Sequence, residues 1–491
     1  MKKRILTIIM LTSVFSMTFA QTAVDALRYS RLFVGGTARY MALGGAYGAV
    51  GADFTVLSTN PAGIGLYRSS EFTITPSIFT GTTEANYNSI ILDDSRTNFN
   101  LGNVGLIFNR SLLSTKNKPT WKNVQFGIGI NRLKDFNRRM LIKGYNPDNS
   151  LLDVYSSYAT DNNIPFDQIE QDYDYMYAYD LNPAWWTYLM DTMGGPASYV
   201  NPVIVPGASQ TLQAQSWGSM NEFVFSMGGN FNDIVYVGGT FSIPWIRYYQ
   251  ESSYVEDFDS PQNDLTRFYY NTELETRASG FNFKFGLLVR PVEWLRIGGA
   301  IHTPTFYNNI RDYNRVYMSS EFKTLDTAGY SSYSKNNAWT KYYELTTPFK
   351  AMANIAFIIA PYGLISADYE YVDYANARFQ RTADWVNADI QTGYTSTHNI
   401  RIGTEWRYDI FSFRAGYAYY ASPYNNDIND GSVRSYSGGI GFKISNYFFD
   451  FAYVYSKSEE DYYLYGYDEY VAKSENTLKS QRLLFTFGTR F

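Results

Sequence analysis

The sequence has 491 residues, including 46 Tyr, 34 Phe and 9 Trp, yet its mean hydropathy is only -0.29. Its formal net charge of -5 argues against nucleic acid as a partner, and the lack of Cys excludes a disulfide framework and a cysteine-linked lipid anchor. A bundle of membrane-spanning helices is also excluded, because each helix would need an apolar run of about 20 residues.

The N-terminus has the composition of a secretory signal. A basic stretch (residues 2–4) precedes an apolar one (residues 5–15), and Ala20 is the kind of small residue that signal peptidases require. We expect residues 1–20 to be a signal peptide that is cleaved before Gln21. The mature chain is then exported.

Residues 21–67 are rich in Gly and show no alternation of apolar and polar side chains. Glycine at this density predicts short helices and tight turns that pack closely. Irregular backbone at membrane depth is tolerated only inside protein, so we expect a plug, or hatch, within a barrel lumen; a periplasmic tail is the alternative. Gly44, Gly45 and Gly65 are candidate hinges of this hatch, although close packing explains them equally well.

From residue 68 to residue 491 the chain repeats a two-residue period. One stretch has this apolar row: Phe281, Phe283, Phe285, Leu287 and Val289. The intervening row carries Lys284 and Arg290, so one side suits lipid and the other suits an aqueous lumen. Repeated over many long strands, the pattern predicts an all-β fold, a transmembrane antiparallel β-barrel. Pro76 marks a kink or an edge in the first strand.

Residues 144–216 interrupt the strands with an acidic, aromatic stretch that contains no Lys, Arg or His. Long loops of such barrels lie outside the cell, so we expect an extracellular cap. Its aromatic residues include Tyr175, Tyr177, Trp185 and Trp186. They form either a capture surface for an apolar molecule or a cluster that packs on itself.

Four arginines fall on the polar row of the predicted strands: Arg290, Arg401, Arg407 and Arg414. In the lumen they can contact an anionic ligand, or they can form ion pairs with lumen carboxylates that stiffen the barrel. The final strand ends on Phe491, the usual kind of terminus for outer-membrane barrels, which is read by the barrel-assembly machinery. No feature predicts an oligomer, and we expect a monomer in contact with outer-membrane lipid and lipopolysaccharide.

Several segments together resemble the long-chain fatty acid transporter family, which includes toluene-uptake channels and members labelled hemin receptors. The best local match is Asn60-Pro61-Ala62-Gly63, which is similar to the family's hatch motif. Residues 38–46, 286–307 and 414–423 extend the resemblance over most of the mature chain.

The resemblance implies a barrel of about fourteen strands with an N-terminal hatch. It also implies passive uptake of hydrophobic or amphipathic compounds such as long-chain fatty acids, with the ligand leaving through a gap in the wall. The acidic loop at residues 144–216 departs from the family pattern, so the ligand stays open between fatty acid, aromatic hydrocarbon and heme.

Other functions remain as alternatives. A hemin receptor would need an iron ligand, for which His302 is the candidate on the lumen row. A structural or adhesive barrel would act through the 144–216 loop alone. No nucleophile pattern accompanies His302, so we expect no enzymatic activity and no bound cofactor.

Overall fold

The computed structural model describes residues 22–112, 120–171, 177–324, 328–332, 341–380, 384–425, 429–465 and 473–491. The predicted signal peptide, residues 1–20, and Tyr175 of the predicted capture loop lie outside these residues.

Fourteen antiparallel strand positions close a single barrel, in which the last strand pairs with the first. In chain order they are β1 (Glu71–Tyr87), β2 (Ile90–Ser111), β3 (Trp121–Asp135 and Arg138–Asn146), β4 (Ala208–Phe231), β5 (Val235–Asp257), β6 (Leu265–Val292), β7 (Leu295–His302 and Phe306–Phe322), β8 (Lys341–Thr346 and Lys350–Ile359), β9 (Gly363–Asp373 and Arg378–Gln380), β10 (Ser396–Tyr408), β11 (Phe411–Tyr420), β12 (Val433–Ile444), β13 (Tyr447–Tyr463) and β14 (Lys473–Arg490). The predicted all-β barrel is therefore confirmed.

Most tight turns lie at one end of the barrel and most long connections at the other. The two-residue turn at Asn88 and Ser89 between β1 and β2 is an exception, because it lies at the end with the long connections. The β4–β5 turn at Asn232 and Asp233 has φ values of 57° and 58°, which suits a hairpin built from these residue types. β6 continues through Pro291 to Val292, and Glu293 and Trp294 form the turn to β7. The long connections face the extracellular side, as in other outer-membrane barrels.

The outer surface is an apolar band. Phe283, Phe285 and Leu287 are 51%, 54% and 43% exposed along β6, whereas Lys284 between them is buried in the lumen. Asp450 on β13 also faces inward and is 7% exposed. Lipid is the solvent that makes such an exterior stable, so the barrel is an outer-membrane barrel.

The N-terminal segment fills the lumen as a hatch. It contains α1 (Ala23–Ser30), α2 (Ala38–Ala42) and two 3-10 helices (Phe54–Ser58 and Pro61–Leu66). Thr22 caps α1 in a reciprocal arrangement with Asp25, and Thr37 caps α2 through its hydroxyl. Most of the hatch residues are buried inside the barrel, so the segment is a plug and not a free tail.

A cap (described residues 147–171 and 177–207) closes the end of the barrel that carries the long connections. It consists of α3 (Leu151–Asp161), α4 (Phe166–Gln171), α5 (Leu181–Trp186) and a small hairpin that pairs Asp191–Thr192 with Tyr199–Val200. The predicted bounds of 144–216 are too wide, because β3 continues to Asn146 and β4 starts at Ala208.

The cap has an apolar core shared with the upper ends of the strands. Two further helical segments join the barrel rim, a 3-10 turn (Tyr374–Asn376) and α6 (Asp384–Gly393). None of the helices in the described part of the chain is long and apolar enough to cross a membrane.

Candidate functional site

A large cavity of about 780 Å³ lies in the lumen between the hatch and the cap. Phe33, Tyr40 and Met41 form its hatch side, and Val154 and Tyr155 of the cap helix α3 form its roof. Its walls come from the upper halves of most strands. A volume of this size accommodates a drug-sized or lipid-sized ligand.

Three cations of this cavity gather around aromatic rings near the hatch. The Arg31 guanidinium lies 5.2 Å and the Lys134 Nζ 5.9 Å from the centre of the Phe33 ring, while Arg482 stacks 5.1 Å over Phe79. Lys134 donates a hydrogen bond to the Arg28 carbonyl at 2.8 Å. Cations held on aromatic faces leave their charge available to an anion in the cavity.

The partners of these cations distinguish them from their neighbours. Arg28 forms an ion pair with Asp25, and Arg138 forms one with Glu460. Among the described residues, no ion pair joins Arg31, Lys134 or Arg482 to a carboxylate. We name these three residues the cavity cation cluster.

Only part of this cluster could be predicted from the sequence. In the predicted final strand, Leu483, Phe485, Phe487 and Phe491 form one alternating apolar row, so the inward direction of Arg482 follows from parity. Lys134 lies beside a β-bulge between Arg132 and Lys134, which parity cannot anticipate. Arg31 belongs to the hatch, where no period applies.

A seam without shared strand pairing separates the upper halves of β2 and β3. Their ladder runs only from Asn103↔Asn131 to Ser111↔Asn123. Above it, residues 90–101 of β2 pair with β1, and Arg138–Asn146 of β3 pairs with β4. The departure coincides with a bulge at Gly102, since Thr75 pairs with Asn103 and Pro76 with Leu101. The predicted irregularity at Pro76 is thus a bulge.

The hatch lies directly behind this seam. Phe33 N donates to Leu133 O at 3.1 Å, and Gly35 N donates to Arg132 O at 2.8 Å. A Cβ on Gly102 would come within 3.1 Å of Gly36 O. The hatch therefore adds a short extended segment to β3 at the point where β2 departs.

The cavity reaches the seam from inside. Phe79 and Gly81 of β1 and Asp135 and Asn137 of β3 belong to its lining. On the outside, Arg96 of β2 crosses to β4, where it lies 5.0 Å from the Trp217 ring centre. The seam is bounded by hatch backbone inside and by an Arg–Trp contact outside. Side-chain hydrogen bonds also join β1 and β2 to β3 across it, from Asn100 Nδ2 to Asp135 Oδ2 at 3.4 Å and from Arg138 Nε to Thr83 Oγ1 at 3.3 Å.

The motif Asn60-Pro61-Ala62-Gly63 anchors the hatch to the wall. Asn60 accepts from Ala62 N at 3.2 Å, and its Nδ2 donates to Gly48 O and to Asn354 Oδ1, both at 3.0 Å. A Cβ on Gly238 would lie 2.1 Å from Pro61 O, and one on Gly286 would lie 2.1 Å from Asn60 Oδ1. The wall thus leaves room for the hatch by having glycine at these contacts.

The three candidate hinge glycines contact other groups closely. Gly44 and Gly45 have φ values of 64° and 77°, which L side chains rarely adopt. A Cβ on Gly44 would lie 2.9 Å from Tyr417 N, and one on Gly65 would lie 2.7 Å from Gly229 O. Close packing accounts for all three positions, and a hinge role stays a prediction.

The four predicted lumen arginines lie outside the cavity lining. The Glu405 carboxylate forms ion pairs with Arg414 at 2.7 Å, with Arg407 at 2.7 Å and with the hatch residue Arg39 at 2.9 Å. Arg401 lies 3.5 Å from Glu370, and Arg290 donates its backbone N–H to Ile234 O at 2.7 Å near the periplasmic end. Three of the four predicted arginines are therefore engaged by carboxylates. A role in contacting a ligand anion stays a prediction.

His302 is enclosed by the hatch. Its Nε2 lies 2.6 Å from Thr59 O, and its side chain is buried between Lys284 and Lys350 of the neighbouring strands. A heme would have to displace the hatch to reach this nitrogen. The arrangement therefore gives no support to the hemin alternative.

The predicted capture residues divide between core and surface. Tyr177 is buried in the cap core, and Trp185 stacks on Phe166 with ring centres 5.7 Å apart. Trp186 is 39% exposed and Tyr188 is 63% exposed on the outer side of the cap. Most of the aromatic pattern in this stretch of the sequence therefore reflects packing within the cap.

Glu256 joins the cap to the barrel. It accepts hydrogen bonds from Leu151 N and Gln210 Nε2, each at 3.0 Å, and from the Ser150 hydroxyl. Burial raises the pKa of Glu256 to about 7. This carboxyl lies beyond Arg247, an outward-facing exposed residue of the same strand, and so above the lipid-contacting band.

The fold is shared with solved outer-membrane channels. The chain matches a Pseudomonas aeruginosa FadL homologue with a TM-score of 0.56 and 11% identity, over 94% of this chain and 99% of that one. It matches the Pseudomonas putida toluene transporter TodX with a TM-score of 0.54 and 10% identity, over 93% and 99%. It matches the Ralstonia pickettii toluene transporter TbuX with a TM-score of 0.50 and 14% identity, over 93% and 98%.

Comparison of the sequence with family models and with curated proteins finds no match. The structural likenesses establish the plugged barrel fold that the sequence resemblance implied.

Proposed function

We propose that this chain is an outer-membrane channel for the passive uptake of hydrophobic or amphipathic compounds such as long-chain fatty acids. The observation that carries the proposal is the 780 Å³ cavity, which joins an aromatic and cationic lining to a seam in the wall. Two of the compared structures are described as toluene transporters, and their shared fold supports the same class of cargo.

The ligand lies with its anionic head at the cavity cation cluster. Arg31 and Lys134 share the Phe33 ring, so a carboxylate beside that ring meets two cations at once. The apolar tail extends along the aromatic and aliphatic lining toward Val154 and Tyr155 of the cap. Fatty acids match this combination of one anionic end and one long apolar end.

The seam between β2 and β3 supplies the exit. Side-chain hydrogen bonds cross the seam, such as those from Asn100 Nδ2 to Asp135 Oδ2 at 3.4 Å and from Arg138 Nε to Thr83 Oγ1 at 3.3 Å. Behind them, two backbone hydrogen bonds hold the hatch segment around Phe33 and Gly35 to β3. Breaking these two bonds costs about 1–3 kcal/mol in total, so a bound ligand can bias the segment away. The cargo then leaves sideways into the outer leaflet and never has to cross the plugged lumen.

The exposed rings of Trp186 and Tyr188 provide the first contact outside the cell. Aromatic side chains on a polar, acidic cap offer an apolar molecule an adsorption site without making the whole surface hydrophobic. Tyr177 and Trp185 hold the cap together beneath them.

A binding measurement on purified protein tests the head-group assignment. Replacing Arg31 and Arg482 by Gln is expected to weaken binding of a fluorescent long-chain fatty acid by at least about tenfold, because each removes a charge-assisted contact. Binding of the matching fatty alcohol, which has no charge, is expected to stay within about twofold, since that contact has no charge to lose.

Arg267→Gln is the matched control, because Arg267 does not line the cavity and is already bonded to Asp257. Equal losses for acid and alcohol would contradict the assignment. So would a fatty-acid affinity that the double variant leaves unchanged.

A further inference from the structure

Three arginines lie side by side on the outer face of the barrel. Arg247 of β5 is the register partner of Arg277 of β6, and Arg277 is in turn the register partner of Arg311 of β7. All three side chains are exposed and point away from the lumen. We name them the arginine row.

This arrangement is unfavourable for the protein alone. Like charges directly opposite each other on neighbouring strands are destabilising, since their Cβ atoms are only about 5 Å apart. Arg277 bonds to Glu275, which offsets part of the repulsion. In the described part of the chain, no ion pair joins Arg247 or Arg311 to a carboxylate, and Arg311 instead lies 5.1 Å from the Tyr342 ring centre.

The position of the arginine row along the barrel axis limits which groups can neutralise its positive charge. One step toward the periplasm, the outward side chains are Trp245 and Ser279, followed by the lipid-facing Phe281. One step in the opposite direction, toward the extracellular end, Trp217 and Tyr249 stack with ring centres 5.4 Å apart. Aromatic residues of this kind mark the level of the lipid head groups.

We propose that the arginine row binds the phosphate groups of lipopolysaccharide in the outer leaflet. Guanidinium groups bind phosphate oxygens in pairs, and three of them in one line suit a head group that carries more than one phosphate. The phosphates supply the negative charge that the row lacks, and the acyl chains then lie against Phe281 and the apolar band below. This site is independent of the transported ligand.

A second cationic row on the opposite side of the barrel provides a contrast. Arg434, Lys457 and Lys479 are also register partners across β12, β13 and β14. There, Lys457 bonds to Glu459 at 2.7 Å and Lys479 to Glu84 at 2.9 Å. The chain's own carboxylates neutralise two of these three cations, so this row has less need of an external anion than the arginine row has.

The test uses the full chain in detergent, with binding of lipid A followed by native mass spectrometry. The triple variant Arg247→Gln, Arg277→Gln, Arg311→Gln is expected to bind lipid A at least about tenfold more weakly than the parent. Dephosphorylated lipid A is expected to bind parent and variant equally weakly. The Arg→Lys triple variant, which keeps the charge, is expected to recover part of the affinity.

The matched control replaces three cations that already have carboxylate partners: Arg267→Gln, Lys457→Gln and Lys473→Gln. It changes the net charge by the same amount and is expected to keep lipid A binding. Equal losses in both triple variants would overturn the proposal, because they would reflect net charge alone. Binding that ignores the phosphates, or inorganic phosphate that competes as well as lipid A, would also overturn it.

Discussion

Glu256 is the buried carboxyl on which the cap helix α3 begins. The Leu151 N–H at the first turn of that helix and the Ser150 hydroxyl both donate to it. Burial disfavours its ionised form, whereas the donors favour that form, and burial has the larger effect. The docked cap therefore holds a proton that an undocked, solvated Glu256 releases.

This difference predicts that cap docking weakens as pH rises. An undocked Glu256 titrates near its usual value of about 4.3, while burial raises the pKa of the docked group to about 7. Between these values the docked state binds more protons, so it loses up to about 1.4 kcal/mol per pH unit as pH rises and levels off above about 7.

Hydrogen exchange of the α3 amides, corrected for intrinsic rates, measures this directly. Protection is expected to be higher at pH 5 than at pH 8. Glu256→Gln, which cannot ionise, is expected to remove the difference, and Glu251→Gln, on the outer face of the same strand, is expected to retain it. A pH dependence that survives Glu256→Gln would contradict the assignment.

At the scale of elements, the hatch depends on glycines of the wall as much as on its own sequence. Gly238 of β5 and Gly286 of β6 lie where Pro61 O and Asn60 Oδ1 approach the strands. The wall and the hatch motif are thus complementary surfaces, and either can be altered separately.

Gly238→Ala is predicted to displace the hatch, because its Cβ would lie 2.1 Å from the Pro61 carbonyl oxygen. Overpacking of this kind costs about 1–3 kcal/mol. A rise in leak conductance in planar bilayers is the expected result. Gly239→Ala is the control, since the nearest atom to its added Cβ is 3.8 Å away and the residue faces outward. Equal conductance in both variants would argue against the anchor.

The sequence predicted the elements that obey a period. Alternation predicted the strands, the direction of Arg401 and Arg414 and the terminal strand, which ends at Arg490, one residue before Phe491. This is because the lipid and the lumen impose opposite chemistry on neighbouring residues. Alternation could not give the seam, since a seam depends on which strand pairs with which. The bulge at Gly102 can be recognised only when the pairing of its strand with the neighbouring strand is known.

The contacts within the cap and the cavity could not be predicted from the sequence either. The acidic, aromatic stretch predicted a folded extracellular cap, but the choice between a capture surface and a self-packed cluster required tertiary contacts. Trp185 stacks inside while the adjacent Trp186 is exposed. Likewise Arg31 and Lys134 meet at Phe33 only because hatch and wall are folded together.

At the scale of the whole molecule, the cavity, the hatch and the seam form one route. The cap roofs the cavity, the cation cluster lies beside the hatch, and the hatch segment at Phe33 and Gly35 lies behind the seam. In the proposed function, a route of this shape would deliver an amphipathic compound to the outer leaflet while the lumen stays plugged against hydrophilic solutes.

Deleting Gly102 is the change that alters this route most selectively. Asn103 and Asn100 face inward and Leu101 faces outward, so removal of the bulged residue keeps the alternation of β2 on both sides. The straightened strand is then expected to extend its ladder with β3 and close the seam. Arg31, Lys134 and Arg482 are all retained in this variant.

The most direct measurement is uptake of a labelled long-chain fatty acid by cells that lack the gene, carry it, or carry the Gly102 deletion. We predict uptake with the parent chain, uptake near the background level with the deletion, and unchanged fatty-acid binding to the purified deletion variant. Uptake by the deletion variant at the parent's rate would contradict the lateral route. No difference between cells with and without the parent chain would contradict the proposed function itself.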